Sequence, residues 1–162
     1  LLATSMHFNN QMVAIYKELS SSFWNNKMKG IRGKLSARMV SMKESVRYLL
    51  KKGNKARLIG IVGDQTPSSE EINCWISFLN QKTPVFLGTE KLAKKLDSPV
   101  FFVRVNPKSH GYYEIEFELI TENPKETKEG EITNLHSKKL EEDINKNPAY
   151  WLWSHRRWKH QK

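Results

Sequence analysis

The chain has 162 residues, enough for one domain with a hydrophobic core and too few for two domains of ordinary size. Its single cysteine, Cys74, excludes an internal disulfide framework, and its longest apolar runs are far shorter than the roughly 18 to 20 residues that span a bilayer. The net charge of +10 lies in residues 1–62, which hold 12 Lys and Arg against Glu18 and Glu44. A basic half of this kind attracts nucleic acid, anionic lipid or an acidic protein, and composition does not choose among them.

The first elements predicted along the chain are a strand, a helix and a second strand. Residues 13–16 are a short apolar run typical of a strand, and a polar, basic connection follows them. Apolar residues at helical spacing from Met39 to Leu50 predict a helix that ends near Gly53. Residues 57–62 are a continuous apolar run, the pattern of a strand that is buried on both faces in a parallel sheet.

A polar loop, residues 63–67, follows that strand at once. In open α/β sheets, ligands bind beside the loops at the carboxyl ends of the strands, so Asp64 and Gln65 are candidate site residues by position. A turn or a helix cap explains Asp64 equally well from the sequence alone.

A short helix and a second apolar strand are predicted after this loop. Thr89 is expected to cap the helix, and Pro99 stops it. Residues 100–105 are apolar apart from Arg104, which predicts another buried strand.

The following segment predicts a hairpin and then a longer helix. Residues 106–111 have the composition of a turn, and the apolar residues after it alternate with Glu114, Glu116 and Glu118. This two-residue period predicts an antiparallel strand with its glutamates in water, rather than an acid/base or metal cluster. Residues 131–144 then carry apolar side chains at helical spacing.

Residues 147–159 hold three of the five tryptophans of the chain. Asn147 and Pro148 suit the start of a helix, and helical spacing would place Trp151, His155 and Trp158 on one face. Such a helix either docks on the protein by its tryptophans or forms a belt at a lipid or phosphate surface, where Trp and Arg are favoured.

Together these elements predict an α/β fold, a mostly parallel sheet flanked by helices with an antiparallel hairpin, in a single domain over residues 1–162. The sequence has no Walker loop, dinucleotide fingerprint, zinc-spaced Cys/His set or nucleophile elbow, so neither a metal site nor a cofactor is predicted. His110 is expected in a turn and His136 on a helix flank, both in structural or solvated roles.

The order of these segments resembles the lipid A biosynthesis acyltransferases, the lauroyl and myristoyl transferases of Gram-negative bacteria, whose fold is glycerolipid acyltransferase-like. The resemblance runs from about Val13 to Lys159. The segments that carry it are Ile31-Arg32-Gly33 with Met39-Val40, Ile61-Val62-Gly63-Asp64-Gln65, Phe86-Leu87-Gly88-Thr89 with Leu92-Ala93 and Pro99-Val100, and Asn147-Pro148 through Trp153, His155-Arg156-Arg157-Trp158-Lys159.

The resemblance implies transfer of a fatty acyl chain from acyl carrier protein to a hydroxyl of a lipid A precursor, at the cytoplasmic face of the bacterial inner membrane, by a peripheral enzyme. Such enzymes use a His followed, after four residues, by Asp or Glu to deprotonate the acceptor hydroxyl. His7 does not fit, because Met12 stands five positions later. We therefore expect the pair to lie upstream of Leu1, the fold to be the C-terminal two-thirds of the domain and incomplete at its N-terminus, and these residues alone to be inactive. No catalytic residue is assigned within the chain.

The resemblance also implies which residues bind substrate. Arg32 is expected to hold a lipid phosphate or the developing charge on the acyl carbonyl. Asp64 and Gln65 are expected to orient the acceptor sugar or the loops of the site. The full set is Arg32, Asp64, Gln65, Trp153, His155, Arg156 and Arg157.

The partners implied are acyl carrier protein, a lipid A precursor and an anionic membrane surface, with no nucleic acid. Two alternatives stay open at this point. The first is an acyltransferase for another glycolipid, and the second is a non-catalytic basic module that binds nucleic acid or membrane.

Overall fold

A computed structural model describes residues 12–34, 37–51 and 58–160. The chain divides into two compact units, Leu1–Val62 and Gly63–Lys162, which are taken in turn below. None of the helices in the described part of the chain is long and apolar enough to cross a membrane.

The first unit contains a three-stranded parallel sheet in the order β2, β1, β3. Its central strand β1 (Met12–Tyr16) is buried at every position, which explains the continuous apolar run and confirms the predicted strand. The edge strands are β2 (Arg38–Ser41) and β3 (Leu58–Gly60). The strand predicted at residues 57–62 is confirmed for β3. It is half-buried, not fully buried, because it lies at the edge of the sheet. Arg57 lies outside the described residues.

The helix predicted from Met39 begins later than expected. Met39 pairs with Ala14 of β1, so it belongs to β2, and α2 spans only Met42–Leu49. Backbone hydrogen bonds to the neighbouring strand outweigh the helical spacing of side chains here. Gly53, the predicted end of this helix, lies outside the described residues.

The polar, basic connection predicted after residue 16 is wrong, because most of it forms the helix α1 (Ser22–Arg32). Ser21 caps its start, with its hydroxyl oxygen accepting from the Trp24 amide at 3.5 Å. The Gly33 amide donates to the Lys29 carbonyl at 2.9 Å at the other end. A serine cap followed by apolar residues at helical spacing was the signal in the sequence.

The second unit is built from two antiparallel hairpins and two long helices. The expected mostly parallel sheet is therefore wrong in extent, because parallel pairing is confined to β1, β2 and β3 among the described strands. Two-residue turns join each antiparallel pair directly, and Gly111 in the second turn has a φ of +79°. The elements are β4 (Cys74–Phe78), β5 (Gln81–Val85), α3 (Gly88–Leu96), β6 (Val100–Ser109), β7 (Tyr112–Thr121) and α4 (Glu131–Lys146).

Helix α3 carries a buried carboxylate that holds the start of α4. Leu87, not Thr89, occupies its N-cap position, so the predicted cap is wrong, and the helix ends as expected before Pro99. Glu90 is 2% exposed and accepts from the Gly130 amide at 2.8 Å and the Thr133 amide at 3.1 Å. Burial raises the pKa of Glu90, but Lys94 and these amide donors outweigh it, so the pKa lies below its ordinary value.

The β6–β7 hairpin is confirmed, but its faces are used differently from the prediction. Arg104 donates to Asp143 of α4 at 2.7 Å and to Glu118 at 3.1 Å, and Lys139 of α4 also pairs with Glu118. The glutamate face therefore meets α4 at Glu118, while Glu114 and Glu116 stay exposed as expected. The residues predicted as a buried strand are instead largely exposed, among them Phe101, Val103 and Val105.

The core of the second unit lies between the first hairpin and α4. Ile76, Phe78, Val85 and Ile144 are buried together, with Trp151 and Trp158 packed against them. The C-terminal segment therefore packs on a surface formed by the first hairpin and α4.

Candidate functional site

The C-terminal segment is not the helix predicted from Asn147. Only Pro148–Tyr150 forms a single 3-10 turn, and tight turns follow it. Trp151 and Trp158 both pack near Phe78, with ring centroids 6.4 Å and 6.5 Å away. The segment docks on the protein by these two tryptophans.

Thr66 ties the loop at residues 63–67 to this segment. Its hydroxyl donates to the carbonyl oxygens of Arg157 at 2.7 Å and Arg156 at 3.1 Å. Its amide donates to Nε2 of His155 at 3.1 Å. In this bond the ring nitrogen of His155 is the acceptor. The loop and the segment therefore form one hydrogen-bonded structure across about ninety residues of sequence.

Arg157 is buried under this structure, with 5% of its surface exposed. Its Nη1 donates to the Pro84 carbonyl at 2.9 Å, and its guanidinium carbon lies 5.9 Å from the Phe78 ring centroid. Burial lowers the pKa of Arg157, and the charge of Asp64 opposes that effect. Its Nε is buried without a hydrogen-bond partner among the described residues, so one donor of a charged group is left over.

Asp64 supplies the complementary charge from the loop. Its Oδ1 is buried and accepts no hydrogen bond from any residue in the described ranges. A buried carboxylate oxygen without a partner is costly, about 1 to 3 kcal/mol or more. The second unit therefore contains an acceptor of a negatively charged group, Asp64 Oδ1, and a donor of a positively charged group, Arg157 Nε, and neither has a partner among the described residues.

His136 of α4 is a further titratable group at this place. Its ring meets Phe102 edge-on at 5.3 Å, and a Cβ built on Gly63 would lie 3.5 Å from its Cε1. Burial lowers its pKa, against the opposing charge of Asp64, so the imidazole is neutral at neutral pH. Sequence reasoning placed His136 on a helix flank and missed this neighbourhood, because only the docking of α4 beside the loop creates it.

Glu141 stands five positions after His136, the same spacing as the catalytic pair of the family that the sequence resembles. On a helix that spacing turns the two side chains about 140° apart. Glu141 instead accepts from the Leu79 amide at 2.8 Å. Its carboxylate is therefore committed to the first hairpin and does not orient the imidazole.

The other predicted site residues have different surroundings. Gln65 and Arg156 are exposed next to Asp64 and Arg157 in the chain. Trp153 is 55% exposed, and its indole N–H donates to the Pro148 carbonyl at 2.7 Å. Arg32 ends α1 in the first unit and is half-buried there. The second unit thus brings Asp64, His155 and Arg157 into one structure and adds His136 and Thr66 to it.

The chemistry available in this site is hydrogen bonding and charge. No group of three His, Cys, Asp or Glu side chains that could hold a metal ion occurs in the described ranges. The unpaired Asp64 oxygen can accept from a hydroxyl, and the unpaired Arg157 N–H can donate to a hydroxyl or a phosphate.

Comparison with known proteins accounts for this combination of segments. The family described as bacterial lipid A biosynthesis acyltransferase matches residues 1–160. No match was found among curated proteins. Because the family match covers almost the whole chain, it confirms the resemblance carried by the loop at Asp64 and by the C-terminal segment. The chain belongs to the bacterial lipid A biosynthesis acyltransferase family.

Proposed function

We propose that this chain binds the acceptor of a reaction that transfers a fatty acyl chain from acyl carrier protein to a hydroxyl of a lipid A precursor. Membership of the family supports acyl transfer onto a lipid A-type acceptor. The observation that carries the proposal is that Asp64 Oδ1 and Arg157 Nε are buried without a hydrogen-bond partner; they are two of three such side-chain atoms in the described ranges, and the third is Nε2 of His160.

A sugar lipid that carries hydroxyls and phosphates matches these two atoms chemically. A hydroxyl donates to Asp64, and a hydroxyl or phosphate oxygen accepts from Arg157. Hydrogen bonds to charged groups contribute about 1.5 to 3 kcal/mol, and each buried atom without a partner adds its desolvation cost to the unbound state. A sugar lipid that forms hydrogen bonds with both Asp64 Oδ1 and Arg157 Nε therefore binds more tightly than one that contacts only solvent-exposed polar atoms.

The reaction proposed is direct attack on the thioester of the donor. The acceptor hydroxyl loses its proton to a base, and its oxygen forms the new bond to the acyl carbon. The C–S bond breaks, and the base returns the proton to the departing sulfur, which leaves as the thiol of the carrier. No acyl-enzyme is formed. The base is the His of the family's His-acid pair, and the residues named above hold the acceptor in place.

The basic first unit and the exposed Arg156 support an anionic surface as the setting of this reaction. We accordingly propose a peripheral protein at the cytoplasmic face of the inner membrane, with acyl carrier protein as the donor partner. Both partners are anionic, and attraction by a basic field speeds the encounter with either.

Equilibrium binding of a lipid A precursor in detergent micelles tests the proposal. We expect Asp64→Asn to weaken binding by about tenfold or more, since a hydrogen bond to a charged group contributes at least about 1.4 kcal/mol. Asp97→Asn is the matched control, because Asp97 is exposed and pairs only with the exposed Lys125 among the contacts described. Equal affinity for the wild type and Asp64→Asn, in proteins of unchanged fold, would refute the role of this site.

A further inference from the structure

Helix α1 exposes an apolar face that no described residue of the first unit covers. The helix has no buried side chain along its eleven residues. Phe23 is 65% exposed, Trp24 53% and Ile31 41%. At 100° per residue these three side chains and Met28 fall within an arc of about 140°, and the opposite arc holds Asn25, Asn26, Lys29 and Arg32.

Cations accompany the aromatic rings of this face. The Lys27 ammonium lies 5.2 Å from the Trp24 ring centroid and 5.9 Å from that of Phe23. Phe23 and Trp24 meet edge-on, with centroids 5.3 Å apart. Lys27 stands one turn after Phe23 and one turn before Ile31, so its stem runs along the apolar face and its charge lies at the surface.

The surroundings of α1 are basic without interruption. No acidic residue occurs between Glu18 and Glu44, while Lys27, Lys29, Arg32, Lys34, Arg38 and Lys43 all fall in that interval. The Lys29 ammonium lies 5.4 Å from the Tyr16 ring centroid. A hydrogen bond to Tyr16 raises the pKa of Lys29, so this cation is fully charged at neutral pH.

We propose that α1 is an interfacial helix that docks the first unit on an anionic lipid surface. Phe23, Trp24 and Ile31 enter the boundary between headgroups and acyl chains, and Lys27 reaches back to the headgroups. An amphipathic helix with large apolar residues on one face and cations beside them has the composition that partitions into such an interface. Nucleic acid would use the cations but leave Ile31 and Phe23 without an apolar environment, so the lipid surface accounts for both properties.

This inference deepens the peripheral location proposed above and rests on it only for the identity of the membrane. Binding to vesicles is measured without an acyl donor or a lipid A precursor. Its failure is therefore distinguishable from failure of the proposed acceptor site, which is tested in micelles with Asp64→Asn.

Co-sedimentation with phosphatidylglycerol/phosphatidylcholine vesicles, against pure phosphatidylcholine vesicles, tests the proposal. We expect the wild-type chain to prefer the anionic vesicles and Trp24→Ala to lower the partition coefficient by about tenfold or more, the contribution of one large apolar side chain. Lys27→Gln should lower it about fivefold on anionic vesicles only. Ile31→Ala provides a second apolar variant that leaves the aromatic pair in place.

The matched controls come from the second unit. Tyr113 of β7 is 65% exposed, as Phe23 is, and Lys95 is an exposed lysine of α3. Tyr113→Ala and Lys95→Gln should leave vesicle binding within about twofold of the wild type, the change expected for groups outside the docking surface.

Equal binding by Trp24→Ala, Ile31→Ala and the wild type, or an equal loss in Tyr113→Ala, would overturn the proposal. A second outcome would also overturn it. If Lys27→Gln weakens binding to acyl carrier protein and no α1 variant changes vesicle binding, the cations of α1 bind an acidic protein and not a lipid surface. Circular dichroism of each variant confirms that the fold is kept.

Discussion

Glu90 offers the sharpest test of how the second unit holds together. Its buried carboxylate accepts from the Gly130 amide at 2.8 Å, the Thr133 amide at 3.1 Å and the Thr133 hydroxyl at 2.9 Å, and it pairs with Lys94 at 3.0 Å. The Gly130 and Thr133 amides belong to the N-cap and first turn of α4, where N–H groups have no partner inside the helix. Glu90 thus acts as the cap of a helix whose N-cap residue, Gly130, lies forty positions later in the chain.

The magnitude follows from the groups that Glu90→Ala would leave unpaired. A buried amide without a partner costs about 1 to 3 kcal/mol, and removing one member of a buried ion pair costs about 3 to 5 kcal/mol. We therefore expect Glu90→Ala to lower the free energy of unfolding by about 3 to 5 kcal/mol, and Glu90→Gln by about 1 to 2 kcal/mol, since the amide keeps one acceptor. Urea denaturation at pH 7, followed by circular dichroism, measures both values.

The pH dependence has a definite sign. The folded-state pKa of Glu90 is lowered, so its ionisation contributes stability that is complete above the unfolded pKa of about 4.3 and is lost as the pH falls through the folded value. Glu90→Gln should therefore differ most from the wild type at neutral pH and converge on it in acid.

Glu131→Ala is the matched control for Glu90. Glu131 also accepts an amide near the start of α4, that of Lys128 at 2.8 Å, but from an exposed position. We expect it to cost less than about 1 kcal/mol. A cost for Glu90→Ala no larger than that of Glu131→Ala would refute the reasoning from burial.

Three further predictions concern the site. The pKa of His136 is lowered, so the stability that its neutral form contributes is complete above about pH 6.5 and falls as the pH drops below that value. Urea denaturation at about pH 7.5 and about pH 5.5 should therefore show a decrease in the free energy of unfolding that is smaller in His136→Gln than in the wild type. Trp158→Phe removes the hydrogen bond of 2.7 Å to Thr83 and should cost about 1 to 3 kcal/mol in urea denaturation, whereas exposed Trp153→Phe should cost less than about 1 kcal/mol; equal costs would contradict the docking described. We also expect the 162 residues alone to transfer no acyl group above an enzyme-free control, because His7 lacks an acidic partner five positions on, and measurable transfer would refute this.

The spacing of apolar residues along the chain correctly predicted several strands and helices. The buried run at residues 13–16, the alternation through β7 and the helical spacing of α4 all appear in the structure at nearly the predicted positions. Helix α1, which is predicted as a connection because of its basic residues, also has a local helix signal, Ser21 before apolar residues at helical spacing.

Other predictions failed where distant contacts outweigh local preference. Met39 has helical spacing to Met42 and Val46, yet pairing with Ala14 places it in a strand. The C-terminal segment has good helix-start residues, yet it forms only one 3-10 turn and packs Trp151 and Trp158 on one phenylalanine. In both cases a few tertiary contacts exceed the small energies of helix propensity and capping.

By itself, the sequence determined the family of this protein, its α/β composition and the two segments, around Asp64 and Arg157, that form the candidate site. Only the tertiary structure decided that Arg157 is buried against Pro84 rather than exposed to solvent, that the charge of Asp64 acts on His136, and that α1 presents an apolar face. The reason is physical: burial and pKa depend on groups that lie far apart in the chain, 73 positions for Arg157 and Pro84, and no local pattern records them.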